Sequence, residues 1–271
     1  MDNRPIGVFD SGLGGLTVIR ALERTLPHED LIYFGDTGRV PYGTKGNDTI
    51  VKYSEQIVRF LRGFDVKAIL IACNTVSSVA FEEVCAQAGV PVFGVVEPAV
   101  EAAVRTTRGG EILVLGTSAT VRSGAYEQAI HRYLPDAGVR SRACPLFVPL
   151  VENGHFAAGD QLAELAAHEY LDSFIGQGVD TVILGCTHYP ILRSLIAKIM
   201  GGQVELVDSG CEMAVRAAVA MDERGLLTDR EEPGRQNFYV SDYSEDFTRL
   251  AGVLLEHSLA GYVEKTNIEK Y

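Results

Sequence analysis

The chain has 271 residues, 46% of them hydrophobic and 22% charged, with a formal net charge of −12. This composition is typical of a globular protein, and the length allows two domains. The negative charge argues against a nucleic-acid surface and against anionic membranes, so we expect neither as a partner. Local donors would have to hold any anionic ligand.

The sequence shows no targeting segment and no metal motif. Residues 1–5 lack the apolar core of a secretory signal, and no apolar run approaches the ~20 residues of a membrane span. Five cysteines, an odd number, indicate reduced thiols, so we expect a cytoplasmic protein. The absence of C-x-x-C and of a histidine pair at helical spacing predicts no metal site.

Short apolar runs alternate with helical patterns, which predicts an α/β fold with parallel sheets. We expect strands near residues 6–10, 31–35, 68–72, 92–96, 112–116, 143–148, 181–185, 204–208 and 237–241. Helical patterns include Ile50–Leu61, Val121–Leu134, Glu212–Glu223 and Ser244–Glu256. The segment Arg230–Gln236 is rich in Gly, Pro and charge, and is expected to be a surface loop.

Two segments resemble each other, and each carries a cysteine at the same place. Val66–Thr75 and Val179–His188 both contain an apolar run, a small residue, a cysteine and short hydrogen-bonding side chains. Such runs are typical of strands buried in a parallel sheet, with the chemistry just beyond their carboxyl ends. Cys73 and Cys186 are therefore candidate acid/base groups, one for each face of a single carbon.

A helix is expected soon after each of these cysteines, from Val76 and from Pro190. A thiol beside a helix N-terminus has a lowered pKa, so we predict this for both sulfur groups. The alternative interpretation of a free cysteine is a small buried hydrophobic residue. We assign that interpretation to the remaining cysteines, Cys85, Cys144 and Cys211.

The internal match extends beyond the cysteines. Ile6–Ser11 resembles Ile112–Thr117, and Val40–Pro41 resembles Val148–Pro149, in the same order along the chain. This order predicts a duplicated α/β domain. About sixty residues follow the second copy, too few for a stable third domain, so we expect them to complete the first.

The predicted architecture is thus two pseudo-symmetric parallel-sheet α/β domains that face each other across an active-site cleft. The first domain is expected to comprise residues 1–97 and 209–271, and the second residues 98–208.

A glycine-rich loop, Asp10–Gly15, follows the first predicted strand and precedes a helix from Leu16. Its glycines would let backbone amides approach an anion at the helix N-terminus, although the same pattern also suits a tight turn. Asp10 lies at the strand end, where it could serve Cys73 as a proton partner or hold an ammonium group. Ser11 is the neighbouring candidate for substrate binding.

Other candidate residues lie in loops that follow later strands. Pro41, Tyr42 and Gly43 would offer backbone amides and a phenol over the ligand, unless they form only a surface turn. Thr117 and Thr120 form a hydroxyl-rich counterpart in the second copy. The remaining two candidates are acid/base groups: Glu152, expected at the end of a strand region, and His188, two residues after Cys186.

Together, four motifs resemble glutamate racemase: Asp10–Gly15, Pro41–Gly43, Ala72–Thr75 and Gly185–Pro190. The resemblance runs from Ile6 to about residue 255. Aspartate racemases are similar in their two cysteines but typically have Glu at the position of His188, which favours glutamate.

This resemblance implies a cofactor-independent enzyme that interconverts L- and D-glutamate and supplies D-glutamate for peptidoglycan synthesis. It implies that Cys73 works on the D-isomer and Cys186 on the L-isomer, and that Asp10 and His188 assist them. The substrate-binding residues that it implies are Ser11, Tyr42, Gly43, Asn74, Thr75 and Thr187.

The chemistry of the residues agrees with this expectation. The hydrogen on an amino acid's Cα is a very weak acid, and many enzymes use pyridoxal phosphate to stabilise the carbanion. We see no motif for that cofactor, so hydrogen bonds to the substrate carboxylate would have to carry the developing charge. One thiolate would remove the proton while the opposing thiol supplies one.

Three other functions remain open at this point. They are an aspartate racemase, a non-catalytic amino-acid-binding module and a cysteine-nucleophile hydrolase, which would need only one thiol. We also expect a homodimer. Some glutamate racemases depend on a peptidoglycan-precursor nucleotide bound near an extended N-terminal segment. The first predicted strand begins at Ile6, so we expect activity without an activator.

Overall fold

The computed structural model describes residues 1–243, 247–259 and 263–271. Within these ranges the strands are β1 Ile6–Asp10, β2 Leu31–Gly35, β3 Ala68–Ile71, β4 Val92–Gly94, β5 Glu111–Gly116, β6 Gly138–Ala143, β7 Thr181–Gly185, β8 Glu205–Asp208, β9 Gln236–Val240 and β10 Val263–Lys265. The α-helices are α1 Leu16–Thr25, α2 Asn47–Arg62, α3 Asn74–Val79, α4 Phe81–Ala88, α5 Val96–Thr106, α6 Ser118–Ser123, α7 Ala125–Tyr133, α8 Phe147–Glu152, α9 Gln161–Leu171, α10 Arg193–Met200, α11 Ser209–Glu223 and α12 Phe247–Leu255.

The strands form two parallel sheets. The first has the order β10-β9-β2-β1-β3-β4 and the second the order β6-β5-β7-β8. The order of the four-stranded sheet repeats the order β2-β1-β3-β4 within the larger one, so the predicted pseudo-symmetric α/β fold is confirmed. The division into residues 1–97 with 209–271 and residues 98–208 stays a prediction.

Both faces of each sheet are covered by helices, which explains the continuous apolar runs of the central strands. All residues of β1, β2 and β7 are buried. Along β1, Ile6 and Val8 pack with α1 and α11, while Phe9 packs on the opposite face with α2. None of the helices in the described part of the chain is long and apolar enough to cross a membrane.

The strand predicted at residues 143–148 is wrong, because the strand lies earlier, at β6. β6 is the edge strand of its sheet and alternates polar residues such as Arg140 and Arg142, so it lacks a continuous apolar run. The apolar residues after it lead into α8 instead. The three-residue edge strand β10 was also not predicted.

Several predicted helix boundaries differ from the observed ones. The pattern Val121–Leu134 is divided by Gly124, whose φ of +66° ends α6 and begins α7. The helix after Cys73 begins directly at Asn74, whereas a 3₁₀ turn, Tyr189–Leu192, precedes α10 after Cys186.

The predicted helix Glu212–Glu223 begins earlier, because Asp208 caps α11 by accepting hydrogen bonds from the amides of Gly210 and Cys211. The helix predicted for Ser244–Glu256 appears as α12, and its first residues, 244–246, lie outside the described residues.

Candidate active site

A pocket lies where the carboxyl ends of the two sheets face each other. The segments that follow β1, β2 and β3 meet those that follow β5, β6 and β7. Its volume of about 200 Å³ suits a small metabolite. The wall consists of Ser11, Gly12, Val40, Pro41, Tyr42, Gly43, Thr44, Cys73, Asn74, Thr75, Thr117, Ser118, Cys144, Pro145, Val148, Pro149, Glu152, Cys186, Thr187, His188 and Tyr189.

The wall includes both candidate cysteines and all but two of the other predicted site residues. The exceptions are Asp10, which lies behind the wall, and Thr120. Thr120 supports the wall indirectly, because its amide donates to Thr117 Oγ1 at 3.2 Å, and Thr117 is the N-cap of α6. Thr117 is therefore the residue of this pair that can reach a ligand.

Cys73 follows β3 and is 4% exposed. Its Sγ donates a hydrogen bond to Ser11 Oγ at 3.4 Å. Burial, reinforced by the negative charge of Asp10, raises the pKa of the Cys73 thiol to about 12. Hydrogen bonding with Ser11 and with the Val76 amide near the start of α3 opposes this rise in pKa, but its effect is smaller. The predicted lowering of its pKa is therefore wrong, and Cys73 is a protonated thiol.

The second cysteine lies in a chain of three polar groups. Cys186 Sγ is 3.9 Å from His188 Nδ1, and His188 Nε2 is 3.1 Å from Glu152 Oε1. Burial disfavours the histidine cation, but the hydrogen bonds with Cys186 and Glu152 outweigh it and raise the pKa of His188 above its ordinary value. His188 is therefore a cation that lies between Cys186 and Glu152. Glu152 ends helix α8, not a strand as predicted.

Asp10 ends β1 and is almost completely buried. Its Oδ2 accepts hydrogen bonds from the amides of Gly12 at 3.1 Å and Gly15 at 3.0 Å. Two amides that we expected to approach a bound anion thus serve this carboxylate instead. Burial raises the pKa of Asp10 despite the attraction of His188. Asp10 Oδ1 has no hydrogen-bond partner among the described residues. Within those same residues, no hydrogen bond joins Asp10 to Cys73.

Two glycines allow close approach between the two units, by which we mean the six-stranded and the four-stranded sheet, each with its helices. A Cβ at Gly14 would lie 2.2 Å from Thr187 Oγ1 and 2.5 Å from His188 Nδ1. A Cβ at Gly43 would lie 2.5 Å from Thr117 Cβ. At both positions any side chain would push one wall of the pocket away from the other.

Several hydrogen bonds among the described residues join the two units around the pocket, and three of them are central to its wall. Thr17 Oγ1 donates to the Thr187 carbonyl at 3.0 Å, and the hydroxyls of Thr75 and Thr117 are 2.9 Å apart. The third bond runs from the Tyr126 hydroxyl on α7 to Asn74 Oδ1 on α3, at 2.5 Å. Both walls are therefore held in register by polar contacts as well as by packing.

Tyr42 lines the pocket, but its hydroxyl donates to the buried carboxylate of Asp36. Arg39 Nε also donates to Asp36, at 2.7 Å, and its guanidinium lies 3.9 Å from the ring centre of Tyr53. Burial and the Asp36 charge raise the pKa of the Tyr42 phenol well above its ordinary value. The prediction that the Tyr42 hydroxyl faces the ligand is thus wrong. The Pro41–Gly43 loop instead offers the Tyr42 ring and its backbone to the pocket.

Cys144, Val148 and Tyr189 also line the pocket, although they were not predicted as site residues. Cys144 is fully buried and lines the pocket directly after β6, so its interpretation as an ordinary core residue is incomplete. A correct placement of β6 would have put Cys144 directly after a strand, which is the position that identified the other candidate residues. Tyr189 donates to the carbonyls of Gly116 and Cys144, both at 3.0 Å. Of the other cysteines, Cys211 is exposed, which also contradicts its predicted burial.

The charge of the wall is unusual for a site that would bind an acid. Among the described residues that line it there is no lysine or arginine, so His188 is its source of positive charge. Hydroxyls, amides and the Asn74 side chain supply the remaining donors. Across the same described ranges, no cluster of three or more His, Cys, Asp or Glu side chains has the arrangement of a metal site.

Comparison with known proteins agrees with this geometry. Residues 6–218 match the model of the Asp/Glu/hydantoin racemase family. Glutamate racemase of Geobacter metallireducens is 44% identical over 266 residues, covering 98% of this chain and 97% of the relative. Glutamate racemase of Streptococcus pneumoniae is 45% identical over 260 residues, covering 96% and 97%.

Solved structures show the same relationship. Glutamate racemase of Francisella tularensis, crystallised with D-glutamate, superposes with a TM-score of 0.93 at 39% identity, and both chains are fully covered. The Thermus thermophilus enzyme, crystallised with β-chloro-D-alanine, gives a TM-score of 0.88 at 43% identity, again with full coverage. The chain therefore belongs to the Asp/Glu/hydantoin racemase family and, within it, to the glutamate racemases.

Proposed function

We propose that this chain racemises glutamate by a two-base mechanism that uses no cofactor. The observation that carries the proposal is the position of Cys73 and Cys186 at corresponding strand ends in one small pocket. The product D-glutamate would serve peptidoglycan synthesis, and we expect the enzyme to act in the cytoplasm as a homodimer.

With L-glutamate, Cys186 acts as the base and takes the Cα proton as its sulfur changes from thiolate to thiol. Cys73 gives its own proton to the opposite face of Cα and becomes a thiolate. The proton count is balanced, and the configuration is inverted. With D-glutamate the same two transfers run in reverse.

His188 and Glu152 support the Cys186 side. The His188 cation would stabilise the Cys186 thiolate when it forms, and Glu152 holds the imidazole from its other nitrogen. On the other side, the buried Asp10 carboxylate raises the pKa of Cys73 and so favours its role as proton donor. We assign His188, Glu152 and Asp10 to proton transfer on these grounds.

The carbanion-like transition state needs donors aimed at the substrate carboxylates. Ser11, Asn74, Thr75, Thr117 and Thr187 provide side-chain donors in the wall. The Pro41–Gly43 segment, which packs closely against Thr117, provides backbone contacts and the Tyr42 ring. Thr120 contributes by holding Thr117.

Incubation with L-glutamate in D₂O tests the proposal. We expect loss of optical rotation together with deuterium at Cα. Cys73→Ser and Cys186→Ser should each reduce the rate by roughly 10²- to 10⁴-fold, because a hydroxyl is a much poorer base than a thiolate. Circular dichroism would show that both variants are folded.

Each alternative gives a different result in the same experiment. Binding of glutamate without deuterium exchange would indicate a binding module, and faster exchange with aspartate would indicate an aspartate racemase. Full racemase activity in either serine variant would contradict the two-base mechanism.

A further inference from the structure

Tyr126 is a fully packed residue outside the pocket that contacts a residue of its wall. It lies at the start of α7, is 2% exposed and packs in the core of the second sheet. Its hydroxyl donates to Asn74 Oδ1 at 2.5 Å, and Asn74 itself is 2% exposed and lines the pocket. The contact therefore crosses from the second unit to the substrate wall of the first.

This hydrogen bond determines what Asn74 can offer a ligand. A carboxamide has one accepting oxygen and one donating NH₂ group, and Tyr126 occupies the oxygen. Asn74 Nδ2 is buried and has no hydrogen-bond partner among the residues that the structure describes. A buried NH₂ group without a partner is unfavourable, so the site is built to have it satisfied by a ligand acceptor.

We propose that Tyr126 is a positioning residue that fixes the Asn74 amide with its NH₂ group toward a carboxylate of the substrate. Without the tyrosine hydroxyl, the amide can rotate and present its oxygen to the same carboxylate, which is repulsive. The inference rests on the proposed racemase function, because it takes the ligand to be an amino-dicarboxylic acid. Tyr126 itself does not line the pocket and acts through Asn74.

The test is Tyr126→Phe, which removes only the hydroxyl. We expect KM for both glutamate isomers to rise about tenfold, the loss of roughly one hydrogen bond to a charged group, with kcat changed by less than about twofold. The matched control is Tyr133→Phe on the same helix, which removes an exposed hydrogen bond to Glu97 and should leave both constants unchanged. Equal thermal midpoints would exclude a general loss of structure.

A double-mutant cycle shows whether Tyr126 acts through Asn74. In an Asn74→Ala background, Tyr126→Phe should raise KM no further, because the amide that it orients is gone. An unchanged KM in Tyr126→Phe, a fall in kcat alone, or additive effects in the cycle would each overturn the proposal. These outcomes are distinct from failure of the proposed function, in which the unmodified protein would not racemise glutamate.

Discussion

The two reactive sulfur groups meet opposite surroundings. Cys73 is buried beside the Asp10 carboxylate, which favours its protonated form, whereas Cys186 faces the His188 cation. The protonated thiol is thus on the Cys73 side. This distribution prepares the pocket for L-glutamate, whose proton the Cys186 side removes in the proposed mechanism.

The His188 cation predicts an alkaline limit to activity. Its raised pKa means that the charge is present at neutral pH and is lost only as the pH rises through that raised value. Glu152→Gln removes one of the two partners that hold the charge. We therefore expect the alkaline fall in kcat/KM to begin at lower pH in this variant than in the unmodified protein, measured in both directions.

Glu97→Gln is the matched control for this prediction. Glu97 is also a carboxylate that accepts hydrogen bonds, from Arg132 and Tyr133, but it lies on α5 outside the pocket wall. Its pH profile should match that of the unmodified protein. An alkaline limb that does not move in Glu152→Gln would show that His188 is not the group that titrates.

Individual residues were predictable from the sequence where a strand end fixed their position. Continuous apolar runs precede Cys73, Cys186 and Thr187. Their position at the pocket could therefore be predicted without knowledge of side-chain packing. The protonation of Cys73 was not predictable, because it depends on burial and on Asp10, which comes from another strand. The orientation of the Tyr42 hydroxyl was also not predictable, because it depends on the buried carboxylate of Asp36.

At the scale of elements, the loop between β1 and α1 works as a spacer between the two units. Gly14→Ala would put a methyl group within van der Waals radii of Thr187 and His188. The loop or the histidine must then shift, and a displacement of about 1 Å at a reacting group reduces turnover roughly 10²-fold. We expect kcat to fall by about this factor, measured by loss of optical rotation.

Gly202→Ala serves as the control for this substitution, because nothing lies within 4 Å of its added Cβ. It should retain full activity. Wild-type turnover in Gly14→Ala would mean that the contact between this loop and His188 is not needed for catalysis.

The elements divide into those that the sequence could predict and those that it could not. β1, β2 and β7 are central strands with unbroken apolar runs, and their predicted bounds agree with the structure. β6 is an edge strand with alternating polarity, so the apolar stretch after it was mistaken for the strand. That single error concealed Cys144, since the residue then appeared to lie inside a sheet.

The whole molecule is held together by more than the contacts at the pocket. Helix α11 packs against α1 of the first unit. It also packs against α5, which in turn contacts β7 and β8 of the second unit. Arg105 pairs with Glu212 and Arg216 with Glu101 along this helix pair. Strands β9 and β10 return the end of the chain to the first sheet. That the two sheets share one strand order was predictable from the internal repeat, whereas this helix packing had no signal in the sequence.

The described residues of the pocket wall include no lysine or arginine, and this affects how the substrate approaches the site. Glutamate is an anion at neutral pH, and the protein carries a formal charge of −12. Their long-range interaction is therefore repulsive, and dissolved salt weakens it: the Debye length falls from ~30 Å at 0.01 M to ~10 Å at 0.1 M. Capture of glutamate should become more efficient as ionic strength increases.

We expect kcat/KM for glutamate to rise about twofold over this range of ionic strength. The value of kcat, which does not depend on the approach of the substrate from solution, should show no such rise. A steep fall with salt would instead reveal a cationic surface that guides the substrate. In such a pocket the substrate is held by short-range hydrogen bonds from hydroxyls and amides rather than drawn in by long-range attraction.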